Sequence, residues 1–169
     1  SLMHTIGNHE KDVTKQICEI NEFLENLSKD LKDTLIIVTA DHGHVDVTPL
    51  YLSDHPKLIE MMVRPTSLEA RCAVFHIKPE YRQQFKEEFE RSFSKDEFVL
   101  YSSDEVKEMQ LFGIGESREG FDDSIGDYIA IAISDKMIVD SPDSFILKSH
   151  HAGLTEAEMR IPMILIDCK

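Results

Sequence analysis

The 169 residues are enough for a core of ordinary size, and 41% of them are hydrophobic, which excludes a disordered tail, a collagen-like chain and a coiled coil. Lys and Arg number 18 against 32 Asp and Glu, a formal charge of −14 that repels polyanions, so neither a nucleic-acid polymer nor an anionic membrane is expected as a partner. The three cysteines, Cys18, Cys72 and Cys168, are odd in number and widely spaced, which favours reduced thiols and a cytoplasmic setting over a disulfide framework.

The first eight residues carry His4 and Gly7. From His9 to about Leu31 the residues Val13, Ile17, Ile20, Phe23, Leu24, Leu27 and Leu31 recur at three- and four-residue steps. That spacing predicts an amphipathic helix whose apolar stripe lies against a sheet. A polar connector leads to a strand over Thr34 to Ala40, in which Leu35 to Val38 is wholly apolar and reads as a buried parallel strand. The run ends at Asp41-His42-Gly43, at the carboxyl end of a strand, where open α/β sheets place their ligands. A carboxylate beside a neutral imidazole suits a zinc-like divalent ion, and Gly43 lets the chain turn sharply. The same triplet also fits a strand followed by an ordinary polar turn. His44, two residues past His42, reads as a solvated turn residue, with a pocket-lining residue as the alternative.

Between Pro56 and Pro65 a short helix-like piece surrounds Leu58 to Val63. Cys72 to Ile77 is rich in strand formers; Pro79 then opens a helical pattern with Tyr81, Phe85, Phe89 and Phe93 four residues apart. Glu97 to Tyr101 reads as another strand and Ser103-Asp-Glu-Val106 as a helix start. These elements predict a small α+β insertion placed as a cap, or alternatively an extension of the main sheet. Phe112 to Gly126, with four glycines, reads as a loop, and Tyr128 to Ile133 and Met137 to Val139 as strands. A second histidine cluster follows at His150-His151, only one of which can point where a strand end points. Thr155 and Glu158 have capping-box spacing, and Ile161 to Ile166 reads as a last buried strand. The expected organisation is a core segment over 1–54, the cap over 55–120 and a return to the core over 121–169.

Thr39-Ala-Asp-His-Gly43, His151-Ala-Gly-Leu-Thr-Glu156 and Ile161-Pro162 together resemble the alkaline phosphatase superfamily, most closely its type I phosphodiesterase and nucleotide pyrophosphatase branch. Leu2-Met-His4 with Gly7 resembles that branch's segment in which a metal-binding Asp precedes a metal-binding His by four residues. Counting back from His4, that Asp falls one residue ahead of Ser1. The resemblance implies the carboxyl-terminal part of a three-layer α/β/α sandwich and a site for two divalent ions, zinc or alternatively manganese. One ion would take the Asp ahead of Ser1, His4 and His151; the other would take Asp41, His42 and an Asp further upstream. His151 is preferred to His150 because His151-Ala-Gly aligns with the family's His-Gly-Gly, with alanine replacing the first glycine. The nucleophile implied is a Thr or Ser upstream of this chain, so no catalytic nucleophile is expected within it. Small phosphate esters or nucleotides are the expected substrates, and self-association is expected if sheet strands lack partners. The alternatives are a phosphomonoesterase, sulfatase or phosphomutase on the same scaffold, a binding domain that has kept the fold, and histidines that are structural and hold no metal.

Overall fold

A computed structural model describes residues 2–169. In chain order the elements are α1 (Leu2–Ile6), α2 (Lys11–Asp30), β1 (Thr34–Thr39), β2 (Val45–Asp46), β3 (Thr48–Tyr51), α3 (Pro56–Met61), β4 (Ser67–Glu69), β5 (Cys72–Phe75), α4 (Arg82–Ser92), β6 (Phe98–Ser102), α5 (Ser103–Glu108), α6 (Phe121–Ile125), β7 (Tyr128–Ala132), β8 (Lys136–Val139), β9 (Ser149–His150), α7 (Glu156–Met159) and β10 (Met163–Cys168). They form two units. The first takes the described residues up to Asp46 with Leu147–His151 and Glu156–Lys169; the second takes Val47–Ile146 and Ala152–Thr155.

In the first unit β1 pairs antiparallel with β10, in a register running from Thr34 opposite Cys168 to Thr39 opposite Met163. The strand is therefore where the apolar run predicted it, but its partner is antiparallel and Leu35 and Ile37 are each 57% exposed. An unbroken apolar run tells only that both faces of a strand can be buried; the direction of its neighbour is set by a segment more than 120 residues away. The expectation that β10 is buried fails for the same ribbon, since Met163, Ile164 and Leu165 are exposed. Helix α2 lies against β10 and buries Val13, but Ile17, Ile20 and Phe23 remain exposed. A helix of 20 residues is about 30 Å long, whereas two strands make a ribbon only about 10 Å wide, so the middle of the predicted stripe stays exposed while Leu24, Leu27 and Leu31 are half-buried.

The second unit holds most of the buried core. Its sheet has the order β4-β5-β7-β6, with every pair antiparallel. Alternation along β5 and β7 supplies two apolar faces. Ala73, Phe75, Ala130 and Ala132 pack with Phe85, Phe89 and Phe93 from α4 and the residue after it. Val74, Ile129 and Ile131 face Val106 of α5 and Ile125 of α6. The four-residue spacing of the phenylalanines thus follows from one helix face covering one sheet face. Ser102 caps α5, accepting from the Glu105 N–H while the Glu105 carboxylate accepts from the Ser102 N–H. Strand β8, which sequence spacing places just after β7, instead pairs in parallel with β3.

Candidate metal centre

The histidines meet because two remote turns are tied to one short strand pair. β2 and β9 pair antiparallel, Val45 opposite His150 and Asp46 opposite Ser149, which sets the Asp41–His44 turn beside His150 and His151. Helix α1 adds His4: its carbonyl accepts from the Lys148 N–H at 2.8 Å, and its ring Nδ1–H donates to the Ser149 carbonyl at 2.7 Å. Because a carbonyl can only accept, the proton sits on Nδ1 and the His4 Nε2 keeps its lone pair. Gly7, at φ +96°, ends α1, and the next residue anchors it: the Asn8 N–H donates to Asp46 Oδ1 at 2.7 Å and the Asn8 side-chain amide to the His44 carbonyl at 2.7 Å. The turn itself is pinned from the far side, where the Gly43 N–H donates to the Glu158 carbonyl of α7 at 2.8 Å.

His4, His44 and His151 each offer one ring nitrogen, and these three nitrogens lie within 4.8 Å of one another. The ring centres are 4.4 Å apart for His4 and His44, 5.4 Å for His4 and His151, and 5.3 Å for His44 and His151. His42 stands differently. Its ring stacks on that of His151 at 3.7 Å with 23° between the planes. His42 Nδ1–H donates to the Gly43 carbonyl at 2.8 Å, so its Nε2 carries the lone pair and lies 3.6 Å from Asp41 Oδ2. Asp41 is an open carboxylate with an 88% exposed side chain. Its own backbone N–H and the adjacent His42 ring hold its carboxyl below the usual range, and the His42 N–H donates to Oδ1 at 3.0 Å.

The structure thus brings all four residues named from the sequence into one unit: the His151 ring stacks on that of His42, which adjoins Asp41, and lies 5.4 Å from that of His4. Of the adjacent imidazoles, His151 places a nitrogen with the cluster of three; the His150 ring lies 5.6 Å from His4. His44, read from sequence as a solvated turn residue, is a correction: it is half-buried, with Nδ1 3.1 Å from Ser149 Oγ. The signal was its place two residues after His42 on an extended segment, which returns a side chain to the same side. Burial, and after it the rings of His4, His151, His42 and His150, push its pKa down to about 4, so near neutrality it is an uncharged imidazole. Neutral imidazoles with one nitrogen tied back to a carbonyl, beside an ionised carboxylate, are the donor set of zinc-like sites. The residues present fit such an ion.

A model of type I phosphodiesterase / nucleotide pyrophosphatase sequences matches residues 1–152. Among solved structures, human ectonucleotide pyrophosphatase / phosphodiesterase 5 superposes with a TM-score of 0.71 at 16% identity over 98% of this chain. The murine protein, solved as an inactive variant in complex with AMP, gives 0.71 at 17% identity over 98%. Phosphonoacetate hydrolase from Sinorhizobium meliloti 1021, in complex with phosphonoformate, gives 0.66 at 16% identity over 96%. This chain spans 44% of the length of the first two and 43% of the third. No curated protein sequence matches at a significant level.

Proposed function

Because the chain belongs to the type I phosphodiesterase / nucleotide pyrophosphatase family and has the partial α/β/α fold of the alkaline phosphatase superfamily, we propose that it is the metal-holding carboxyl-terminal portion of a hydrolase for small phosphodiesters or nucleotide pyrophosphates. The observation that carries this reading is the convergence of His4, Asp41, His42 and His151 from three separate stretches of chain into one cluster of side chains. In this reading His4 and His151 hold one divalent ion and Asp41 and His42 the other, each set completed by an Asp outside the chain.

Two bound ions, zinc in the first instance, supply Lewis-acid stabilisation of phosphoryl oxygens and activation of an attacking hydroxyl. The chain's own residues prepare that site. The Ser149 and Gly43 carbonyls accept hydrogen bonds from the Nδ1–H groups of His4 and His42, which leaves Nε2 of each neutral ring as the ligand atom. Asp41, ionised well below neutrality, contributes a negative ligand without having to lose a proton. Stacking of His42 on His151 fixes the spacing between the two groups. The open side of Asp41 leaves room for substrate, and a small phosphate ester suits an acidic protein because bound cations reverse the local potential. The nucleophile in this reading is a Thr or Ser outside the 169 residues, so the isolated chain turns over at background rate.

The test is a rate comparison on a longer form carrying the upstream sequence, with a phosphodiester, a phosphomonoester and a sulfate ester. The diester should react fastest, a chelator should abolish the rate and zinc restore it. A faster monoester or sulfate ester would move the protein to another branch of the superfamily. Binding of nucleotide without any turnover would make it a binding domain.

A further inference from the structure

His44 has no part in the two ligand groups just described, yet its ring is the nearest neighbour of His4 in the cluster. The geometry points to His44 as a third imidazole ligand, so that His4, His44 and His151 by themselves form a complete three-nitrogen site for one transition-metal ion within this chain. This deepens the metal-site reading above and rests on it for His4 and His151.

Three observations carry the assignment. Imidazoles bound to one tetrahedral ion at about 2.0–2.1 Å per nitrogen place their ring centres about 5 Å apart. The three separations here, 4.4, 5.4 and 5.3 Å, bracket that value. The rings also meet edge-on or tilted, at 78°, 56° and 75°, as rings do when they converge on a point from different sides. His42 is the internal contrast. It stacks nearly parallel on His151 at 3.7 Å, face to face rather than edge-on, and its nitrogens are not in the cluster of three.

The third observation is that Ser149 orients two of the three rings. Its carbonyl receives the His4 Nδ1–H at 2.7 Å and its buried hydroxyl sits 3.1 Å from His44 Nδ1. The carbonyl leaves Nε2 of His4 as its ligand atom, and the hydroxyl does the same for His44 when it accepts from Nδ1–H, second-sphere contacts of the kind that fix metal-binding histidines. His44 is held in place a second time through its carbonyl, which accepts from Asn8. An all-imidazole set favours zinc, cobalt, nickel or copper over magnesium, manganese and calcium, which prefer oxygen ligands. It also leaves a fourth position open, since three protein ligands do not close a tetrahedron.

The experiment is a titration of the 169-residue chain with Co²⁺ and Zn²⁺, read by calorimetry, by metal analysis after gel filtration and by the visible absorption of bound Co²⁺. The parent should take up one tight equivalent of Co²⁺ with the intense visible band of a four-coordinate ion. His44→Ala should bind it about 100-fold more weakly or worse and lose the band, a larger effect than the roughly 10–100-fold that removing a supporting contact costs. His9→Ala, at an exposed imidazole outside the cluster, should keep both the tight equivalent and the band. His44→Gln, which preserves a polar contact for Ser149 Oγ, is read alongside so that loss of folding, seen by circular dichroism, is not taken for loss of a ligand. Unchanged affinity and spectrum in both His44 variants, with binding lost in His4→Ala, would overturn the assignment of His44 and leave the proposed function standing. No metal uptake by the parent chain would likewise overturn the three-nitrogen site, while the proposed function is decided separately by the rate comparison on the longer form.

Discussion

Replacing Gly43 by alanine is the sharpest perturbation of the turn that carries the centre. A Cβ at this position would overlap the carbonyl oxygen of Ala157 and come within 2.9 Å of its carbonyl carbon and 3.1 Å of Glu158 Cα. All three are backbone atoms, so no side chain can rotate away; α7 has to move bodily from the turn. That movement stretches the hydrogen bond from the Gly43 N–H to the Glu158 carbonyl, now 2.8 Å, worth about 1 kcal/mol. Overpacking of this kind costs a further 1–3 kcal/mol or so, giving a total loss of about 2–4 kcal/mol. For a chain of this length a loss of about 3 kcal/mol lowers the melting temperature by roughly 6–12 °C. Thermal unfolding followed by circular dichroism would measure it, together with Co²⁺ affinity, which should fall because His42 and His44 flank the displaced residue. Melting of Gly43→Ala within about 1 °C of the parent would refute the account of how α7 clamps the turn.

Ala152 holds φ at +80°, a left-handed conformation that favours glycine. Ala152→Gly should raise stability by about 0.5–1 kcal/mol, the relief of about 1–2 kcal/mol of strain less the added freedom of the unfolded chain. A lower urea midpoint at unchanged slope would contradict this. His76 is buried and receives a 2.7 Å contact from the Arg64 guanidinium, and burial followed by that cation lowers its pKa below the ordinary 6.5. The unfolded chain then binds the proton first as pH falls, so stability declines below about pH 6.5 by at most about 1.4 kcal/mol per pH unit and levels off once the folded-state pKa is passed. His76→Gln should flatten that part of the curve; an equal slope in both proteins would show that other groups cause it. The exposed face formed by Leu35, Ile37, Met163 and Leu165 should make the isolated chain self-associate, and Ile37→Lys should shift it toward monomer. Light scattering showing a monomer for the parent at high concentration would remove this prediction.

Local periodicity made α2 and α4 legible, since both record a single helix face over many residues. Strand β1 and the Asp41-His42 turn were legible because an apolar run stops abruptly at polar chemistry. The antiparallel pairing of β1 with β10, the parallel pairing of β8 with β3 and the exposure of the Ile17–Phe23 stripe were not. Each depends on which distant segment arrives beside it, and that is not written in any local pattern. Helix α6 was hidden inside a glycine-rich stretch, where composition speaks for a loop although Phe121 and Ile125 have a core to join. His44 escaped for a related reason. Its neighbours in sequence are turn residues, and only the pairing of β2 with β9 carries it to His4 and His151.

The most direct test of the metal centre is diffraction from crystals of this chain grown with zinc, with data collected on both sides of the zinc absorption edge. The account predicts an anomalous peak about 2.0–2.1 Å from ring nitrogens of His4, His44 and His151. Data with no such peak, or with zinc only on scattered surface carboxylates, would contradict it.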